Sequence, residues 1–416
     1  MTKRILTILF SLIIIAQTFS PTQAKAEGPD IPCSSYILID LDNGRVLAEK
    51  NADKKVYPAS TTKIMTSIVA LERSKLDKVM TASRAAVYEI GVGGQNIGIM
   101  EGEQMVFSDL IKAVLLNSAN EGANIIAENS APSRQDFINL MNEKAKKIGA
   151  THTHYVNCHG MYDPNHYTTA RDLATIARYA MVLSPASKTF RSVVSSSSYT
   201  LPPTNKHSVW YGLKITNKLR DYKSEYFNKV LGVKTGYTTA SGNNFIGCVQ
   251  NYQGKRLLSV ITGVHSIGTT SDKFFYTKKL MEYGYINNSL MTVSKSGEVA
   301  KSFPVNNQPG GINSVNLLIS SDVKIFLPKE YTLTQKIVDS KESLSAPIPA
   351  GTKVATLNYY SNGLKVSSMP LITEKDVPLS YESIRTTITM SYLGFILLLF
   401  VLIYYLNRST KPKRNK

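Results

Sequence analysis

The stretch Thr386–Leu406, TTITMSYLGFILLLFVLIYYL, carries no charged residue and restricts the chain more than any other feature. A helix needs about 20 consecutive apolar residues to cross a bilayer, so the stretch predicts a transmembrane helix at 386–406. A basic tail follows at 407–416, and an excess of lysine and arginine marks the cytoplasmic side. The chain before the helix is therefore expected outside the cell. A buried core helix is the alternative, which the basic tail disfavours.

The N-terminus has the pattern of an export signal, assigned to residues 1–26. A basic start leads into the short apolar run Ile5–Ala16, and Ala24-Lys25-Ala26 offers small residues at a cleavage site. The run is too short to cross a bilayer, so cleavage is expected and not an uncleaved anchor. Together the two ends predict an exported protein with a single C-terminal span in the cell membrane and the residues between the two ends extracellular.

If the chain is exported, its net charge of +18 limits the kinds of partner that it is expected to bind. A basic chain suits nucleic acid, a membrane surface or an anionic polymer. Export removes nucleic acid from this set and leaves an anionic cell wall or membrane surface. The three cysteines, Cys33, Cys158 and Cys248, are too few and uneven for a disulfide framework and receive no role.

Between the two ends the pattern changes from mixed α and β to all-β. Ser35–Lys50 alternates around Asn43-Gly44, a strong hairpin signal, and helical periodicity begins near Ser60. Ser108 and Asp109 are expected to cap a further helix. Other predicted segments are helices at 110–117, 121–129, 137–148, 170–183 and 271–285, and strands in VLGVKTG, NNFIGCVQNY and RLLSVITGV. The predicted domains are a mixed α and β one at 27–290, an all-β one at 291–376 and a linker at 377–385.

Three short motifs stand in order along the first domain: Ser60-Thr61-Thr62-Lys63, Ser118-Ala119-Asn120 and Lys234-Thr235-Gly236. Each alone is weak, because Ser321-Asp322-Val323-Lys324 repeats the first pattern and Ser241-Gly242-Asn243 repeats the second. The first repeat lies between two strands, and the second follows the third motif. The three motifs are therefore informative because of their structural context and their order in the chain, and not because of their residues alone.

Ser60 and Lys63 fit a nucleophile and its base. Residues three apart on a helix are neighbours, and a helix N-terminus favours a developing negative charge. A free lysine has a pKa near ~10.4, whereas a general base works best near ~7, so a shift of about 3 units is needed. Burial and a second cation both lower a lysine pKa. Lys234 is expected to be that cation if the third motif folds against the first.

The motifs in this order resemble those of penicillin-binding proteins and serine β-lactamases. The segment FINLMNEKAKKIGATHTHYVNCHGMYDPNHYTTARDLATIARYAM, with LGVKTGYTTASG and APIPAGTKVATL, resembles the D-alanyl-D-alanine carboxypeptidases, the low-molecular-mass penicillin-binding proteins. The resemblance implies an α+β fold. Its parts are a β-lactamase/transpeptidase-like domain (an antiparallel sheet with helices on both faces and a helical subdomain), a small all-β sandwich domain and the transmembrane helix.

The resemblance also implies the catalytic roles. Ser60 would attack the carbonyl of the D-Ala-D-Ala bond, and Lys63 would take its proton. Ser118 would relay a proton to the departing amine. The backbone N–H groups of Ser60 and Tyr237 would form the oxyanion hole. No metal and no cofactor are implied.

For substrate binding the resemblance assigns the remaining motif residues. Asn120 would hold the substrate amide, Lys234 and Thr235 would bind the terminal carboxylate, and Gly236 permits close approach of the backbone to a ligand. Many relatives carry an arginine near the closing helix, where this chain has Lys273. Lysine keeps the charge but loses the bidentate geometry of arginine.

Several other polar residues are better explained by a structural role than by a catalytic or metal-binding one. The histidines His152, His154, His159 and His166 suggest zinc by spacing, but the resemblance places them in a support of the site. Glu121 is explained as a carboxylate at a helix start.

The expected activity is that of a serine-type carboxypeptidase that trims D-Ala-D-Ala stem peptides of peptidoglycan and is acylated by β-lactams. A β-lactamase is a rival, disfavoured by the all-β domain and the anchor, which do not help drug hydrolysis. A D,D-endopeptidase acting on cross-links stays open. A wall-binding homologue without catalysis is disfavoured because all three motifs are intact.

Overall fold

The predicted hairpin at Asn43-Gly44 forms one side of a five-stranded antiparallel sheet. Strands β1 (Ser35–Asp40) and β2 (Val46–Lys50) pair across a turn in which Gly44 has φ 83°, a conformation that glycine adopts without strain. The computed structural model describes residues 28–211, 213–264, 272–306, 314–339, 344–379 and 381–409. The predicted signal peptide and residues 410–416 of the basic tail lie outside the described residues.

Contacts divide the chain into two units, Met1–Ser289 and Leu290–Lys416. The further elements of the first unit are α1 (Lys63–Leu71), α2 (Arg84–Tyr88), α3 (Phe107–Lys112), α4 (Asn120–Ser130), α5 (Arg134–Lys147), α6 (Ala170–Arg178), α7 (Ser187–Val194), α8 (Asp272–Ile286), β3 (Val79–Thr81), β4 (Gln104–Val106), β5 (Lys229–Thr238), β6 (Gly242–Gln250) and β7 (Arg256–Val264). Short turns of other helix types complete it: 3-10 at Ala59–Thr62 and Leu219–Asp221, and π at Ala113–Asn117 and Tyr179–Leu183.

The large sheet has the strand order β2-β1-β7-β6-β5 and carries helices on both faces. Side chains alternate along β1, so Ile37 and Ile39 join the main core with the helices of one face. Leu38 points to the other face, where it lies against Gly284 of α8. The predicted antiparallel sheet between two helical layers is therefore confirmed.

Helix α1 is buried along almost its whole length, as its apolar periodicity predicts. Ile64, Met65, Ile68 and Val69 belong to the core, and the helix packs against α4 and α5. Burial all round is the property of a central helix. Lys63, at its first position, is consequently buried as well.

The expected cap at Ser108 and Asp109 is wrong. Strand β4 runs directly into α3, so the helix begins at Phe107 with Val106 as its N-cap. Asp109 lies in the first turn, where a carboxylate is favourable, and its side chain pairs with Lys112 at 2.9 Å.

The second unit is all-β apart from its last helix, as expected. Its strands are β8 (Asn288–Ser294), β9 (Val299–Asn306), β10 (Ser314–Ile319), β11 (Val323–Pro328), β12 (Thr334–Asp339), β13 (Leu344–Ser345), β14 (Lys353–Ser361) and β15 (Leu364–Thr373). Six form a sheet in the order β12-β14-β15-β10-β9-β13, and β8 pairs with β11. A core of apolar residues from these strands holds the unit together.

The terminal helix α9 (Tyr381–Ser409) contains a candidate membrane span, Ile384–Leu406. The helix begins inside the segment predicted as a linker, because residues such as Glu382 and Arg385 are good helix formers and add a polar turn before the apolar stretch. Val377, at the start of that segment, bridges to Ile348 of the β unit.

Candidate active site

Lys63 and Ser60 meet at the junction of the 3-10 turn and α1. Lys63 Nζ lies 3.0 Å from Ser60 Oγ, 2.6 Å from Asn120 Oδ1 and 2.7 Å from the carbonyl oxygen of His159. Two of these three neighbours only accept hydrogen bonds. A neutral amine therefore gives both of its hydrogens to Asn120 and His159, which leaves its lone pair directed at the Ser60 hydroxyl.

Burial lowers the pKa of Lys63 to about 7, close to the value that a general base needs. Electrostatic interactions with Cys158 and Glu121 oppose this shift and favour the charged form. Burial and then repulsion from Lys63 and Lys273 lower the pKa of Lys234 well below its ordinary value. Repulsion between two cations is mutual, so the expectation that Lys234 helps to lower the pKa of Lys63 stays a prediction.

Two glycines let the backbone pack tightly around Ser60. A Cβ on Gly236 would lie 3.2 Å from Ser60 N and 3.0 Å from the carbonyl oxygen of Pro58, so a side chain here would push the 3-10 turn away from β5. A Cβ on Gly160 would lie 1.9 Å from the carbonyl oxygen of Ala59. Ala59 itself has φ 50°, a strained value for a residue with a side chain.

Asn244 holds the same turn from strand β6. Its Nδ2 donates to the carbonyl oxygens of Tyr57 and Pro58 at 2.8 and 3.2 Å. Sequence reasoning missed both Gly160 and Asn244. No local signal marks them, since their roles come from contacts with residues far away in the chain.

Ser118 and Asn120 stand where the π turn after α3 meets α4. Ser118 has φ 71°, a left-handed conformation that breaks the helix and is uncommon outside glycine. Its side chain is buried and its Oγ has no hydrogen-bond partner among the described residues. Asn120 was assigned to the substrate. In this structure its Oδ1 accepts from Lys63, and its Nδ2 donates to the carbonyl oxygen of Ile90 at 3.2 Å.

Strand β5 presents the third motif next to the 3-10 turn. Lys234 is buried, and its Nζ donates to the carbonyl oxygen of Thr235 at 3.1 Å. Thr235 Oγ1 donates to Thr216 Oγ1 at 2.9 Å, a contact that sequence reasoning missed because the segment around Thr216 has no clear periodicity. Tyr237 is 61% exposed.

Lys273 on α8 adds a third buried cation. Its Nζ donates to Asn243 Oδ1 at 3.0 Å, and burial lowers its pKa to about 8. Lys63, Lys234 and Lys273 are close enough for the other two to lower the pKa of Lys234. Such a cluster is suited to an anionic ligand, which would stabilise the charged forms.

The histidines are built into the support of α1. The carbonyl oxygen of His159 accepts from Lys63, and His166 Nδ1 accepts from Val156 N at 3.1 Å, so His166 Nε2 donates to Thr62 Oγ1 at 2.8 Å. Burial lowers the pKa of both imidazoles to about 3, which keeps them neutral. Across the residues that the structure describes, no three His, Cys, Asp or Glu side chains are grouped as metal ligands.

Glu121 does more than begin a helix. It is buried, its Oε1 accepts from Ile97 N at 2.6 Å, and burial raises its pKa. Asn120 N donates to the carbonyl oxygen of Gln95 at 2.8 Å, and this hydrogen bond also holds the loop against α4. The loop at 90–99 is thereby fixed against the residue that holds Lys63.

Comparisons with known proteins identify the family of the chain. A family profile described as D-alanyl-D-alanine carboxypeptidase matches residues 22–266, and one described as penicillin-binding protein 5, C-terminal domain, matches residues 289–379. D-alanyl-D-alanine carboxypeptidase DacC of Escherichia coli (strain K12) is 30% identical over 383 residues, covering 88% of this chain and 89% of the relative. DacF of Bacillus subtilis (strain 168) is 27% identical over 390 residues, covering 90% and 95%.

Solved structures show the same fold. Penicillin-binding protein 5 from Haemophilus influenzae superposes with a TM-score of 0.63 and 27% identity, over 84% of this chain and 99% of that one. A penicillin-binding protein (PBP3) from Streptococcus pneumoniae gives a TM-score of 0.70 over 84% and 100%, at 24% identity. The likeness therefore covers both units and not only the first.

Proposed function

The chain belongs to the D-alanyl-D-alanine carboxypeptidase family of serine hydrolases, and from this premise we propose that it removes the terminal D-alanine from peptidoglycan stem pentapeptides through an acyl-enzyme on Ser60. The observation that carries the proposal is the set of three contacts at Lys63 Nζ. They leave a neutral amine with its lone pair on the Ser60 hydroxyl. A nucleophile paired with a base in this way is the requirement for covalent catalysis.

Acylation begins when Lys63 takes the Ser60 proton and Oγ attacks the carbonyl carbon of the D-Ala-D-Ala bond. The negative charge that develops on the carbonyl oxygen is stabilised by the backbone N–H groups of Ser60 and Tyr237. Ser118, whose Oγ has no other partner among the described residues, passes a proton to the amine of the departing D-alanine. Supporting this arrangement, Gly236 lets β5 lie against the 3-10 turn that carries Ser60.

The lysine cluster explains the preference for a free C-terminal carboxylate. Lys234 and Lys273 are buried without a carboxylate partner among the described residues, so an arriving carboxylate raises their pKa values and binds to charged ammonium groups. The hydroxyl of Thr235 is expected to donate to the same carboxylate once it leaves Thr216. Asn120 is then in reach of the substrate amide as well as of Lys63.

Water completes the reaction by hydrolysing the ester on Ser60, which releases the stem peptide shortened by one D-alanine. β-Lactams are expected to acylate the same serine, because their strained amide and carboxylate present the same two groups to the site. Slow hydrolysis of that second ester would make them inhibitors.

For the location we propose that α9 anchors the protein in the cell membrane with the catalytic unit outside. Its candidate span Ile384–Leu406 has a mean hydropathy of 2.2 and none of its most apolar window is buried in the protein. The signal peptide at 1–26 and the basic tail at 407–416 supply the orientation.

The activity is tested by incubating the detergent-solubilised full chain with a pentapeptide muropeptide and measuring free D-alanine. Release is expected from the unmutated protein and none above background from Ser60→Ala. No release from the unmutated protein would contradict the carboxypeptidase proposal, and equal release from the variant would contradict the role of Ser60.

A further inference from the structure

The segment between α7 and β5 presents adjacent apolar and aromatic side chains to solvent. Tyr211 is 85% exposed and Val209 is 53% exposed, on either side of Trp210. Trp210 is the only tryptophan of the chain, and it packs partly against the core of the first unit. Single exposed apolar residues are common, but a group of them marks an interaction surface. We call Val209, Trp210 and Tyr211 the aromatic tip, and none of the three takes part in the proposed mechanism.

Hydrogen bonds fix the base of the aromatic tip to the beginning of β4. Gln104 N donates to Asn205 Oδ1 at 2.8 Å, and His207 Nδ1 lies 2.8 Å from Oε1 of the buried Glu103. The His207 ring stacks on Trp210 with 4.2 Å between the ring centroids. These contacts hold the tip in its exposed position, so a partner would meet a surface that is already formed.

The charge around the aromatic tip is positive. From Leu173 to Arg220 the sequence has seven Lys or Arg residues and no Asp or Glu. Lys206 and Lys214 flank the tip and are exposed, and neither forms an ion pair within the part of the chain that the structure describes. Glu101, in the turn before β4, pairs with Arg84 at 3.3 Å. The surface therefore combines exposed aromatic side chains with lysines that no carboxylate neutralises.

This combination fits the surface of an anionic bilayer better than a protein or a soluble polymer. Tryptophan and tyrosine are enriched at the membrane–water interface, and lysines near the surface are attracted to anionic lipid headgroups. Protein–protein interfaces are depleted in lysine, and a soluble polyanion leaves the exposed apolar side chains unexplained. The candidate span in α9 adds a second reason. A bilayer that α9 crosses is present at high effective concentration for every other surface of the same chain.

We propose that the aromatic tip docks on the outer surface of an anionic lipid bilayer, as a membrane contact of the first unit that is separate from α9. The inference rests on the proposed anchoring by α9. Tyr211 is five positions before Thr216, and five residues span at most about 18 Å. Thr216 in turn contacts Thr235 in the candidate active site. Docking therefore holds the active site close to the bilayer surface.

The test uses the full chain in lipid nanodiscs and the fluorescence of Trp210, the only tryptophan. The discs contain phosphatidylcholine alone or equal parts of phosphatidylcholine and phosphatidylglycerol, with lipids brominated near the headgroup as quenchers. Quenching of Trp210 should be at least about twofold stronger in the anionic discs, because interfacial side chains enter the headgroup and acyl boundary by about 5–10 Å. Salt at ~1 M, where the Debye length is ~3 Å, should remove most of this difference.

A pair of charge variants tests the role of the lysines. Replacing both Lys206 and Lys214 by glutamine should lower the quenching in anionic discs by at least about half, because each lysine near the surface contributes to the attraction. The matched control replaces Lys146 and Lys147, two exposed lysines of α5, by glutamine and should leave the quenching unchanged. Equal effects of the two double variants would overturn the proposal.

A pair of aromatic variants tests the apolar contact. Tyr211→Ser should also weaken the quenching of Trp210 in anionic discs. Tyr252→Ser changes a tyrosine that is 70% exposed in the turn between β6 and β7, and it should have no effect. All the substituted side chains are exposed, so the variants are expected to fold, and thermal unfolding checks this.

Two further outcomes would overturn the docking of the aromatic tip. One is quenching of Trp210 that is absent, or equal in neutral and anionic discs. The other is a change in Trp210 emission with soluble polyphosphate but not with lipid, which would assign the tip to an anionic polymer. Recovery of the chain with the discs tests the anchoring by α9 separately, so failure of the anchor is distinguished from failure of the docking. D-Alanine release from a soluble pentapeptide should be unchanged in all these variants.

Discussion

Lys63 Nζ lies 3.0 Å from Ser60 Oγ, and its two other contacts, at 2.6 and 2.7 Å, are to an amide and a carbonyl oxygen. In the proposed mechanism this arrangement sets the direction of proton transfer, from Ser60 to Lys63. Both oxygens accept hydrogens, so in the neutral lysine only the lone pair is left to face the serine. In the proposed mechanism Asn120 and His159 therefore act through the orientation of Lys63.

Removal of the base should slow acylation strongly. Lys63→Ala is expected to reduce the rate of labelling by a fluorescent penicillin about 10²- to 10⁴-fold, the usual contribution of a positioned base. The variant should still fold, since it removes a buried amine from a core that apolar residues dominate. Thermal unfolding provides the control, and near-normal labelling of a folded variant would mean that Lys63 is not the base.

The pH dependence of acylation should report the titration of Lys63. With its pKa lowered to about 7, Lys63 is protonated and inactive below that pH and neutral above it. The second-order acylation rate is therefore expected to rise with pH through about 7 and then level off. A rate that instead begins to rise only near the pKa of a free lysine, ~10.4, would show that burial does not tune this group.

Gly160 and Gly149 allow a matched test of the packing under Ser60. Both have positive φ, 91° and 88°, so alanine is strained at either position, by about 1 kcal/mol. A Cβ at Gly160 meets Ala59 O at 1.9 Å, whereas nothing lies within 4 Å of one at Gly149. Gly149→Ala should keep its activity, and Gly160→Ala should lose more stability and at least about tenfold in D-alanine release. Equal activity in both variants would show that the turn carrying Ser60 tolerates displacement.

Glu121 is expected to influence the base without touching the substrate. Its carboxylate raises the pKa of Lys63, so Glu121→Gln should move the rise of the acylation rate to lower pH, by ~0.5 unit for a partly screened charge. Glu121→Ala should also free the loop at Ile97 and destabilise the fold by about 1–3 kcal/mol. A pH profile that does not move in Glu121→Gln would limit the residue to a structural role.

Local sequence patterns correctly predicted the elements that are determined by residues close together in the chain. Asn43-Gly44 specifies its own hairpin, and the apolar spacing after Ser60 specifies a buried helix. Gly160 and Asn244 act on a turn about a hundred or more positions away in the chain, which no local pattern records. Thr216 was missed for the same reason, since its partner is on β5.

The pKa values of the charged residues could not be predicted from local sequence patterns either. A lysine in a motif suggests a base, but which cation lowers which pKa depends on burial in the folded protein. Burial is the largest cause of the lowered pKa at both Lys63 and Lys234, and repulsion among the neighbouring lysines lowers the pKa of Lys234 further. Glu121 was assigned to a helix start because its partner Ile97 lies in a loop whose position the sequence does not determine.

The central claim, that Ser60 is the nucleophile activated by Lys63, is tested most directly by locating the covalent adduct. The full chain is incubated with benzylpenicillin, digested and mapped by mass spectrometry. One penicilloyl group on the peptide containing Ser60 is predicted, and its formation should fall with Lys63→Ala. An adduct on Ser118, or on Ser321 of the repeated pattern, would contradict the account, as would D-alanine release that continues in Ser60→Ala.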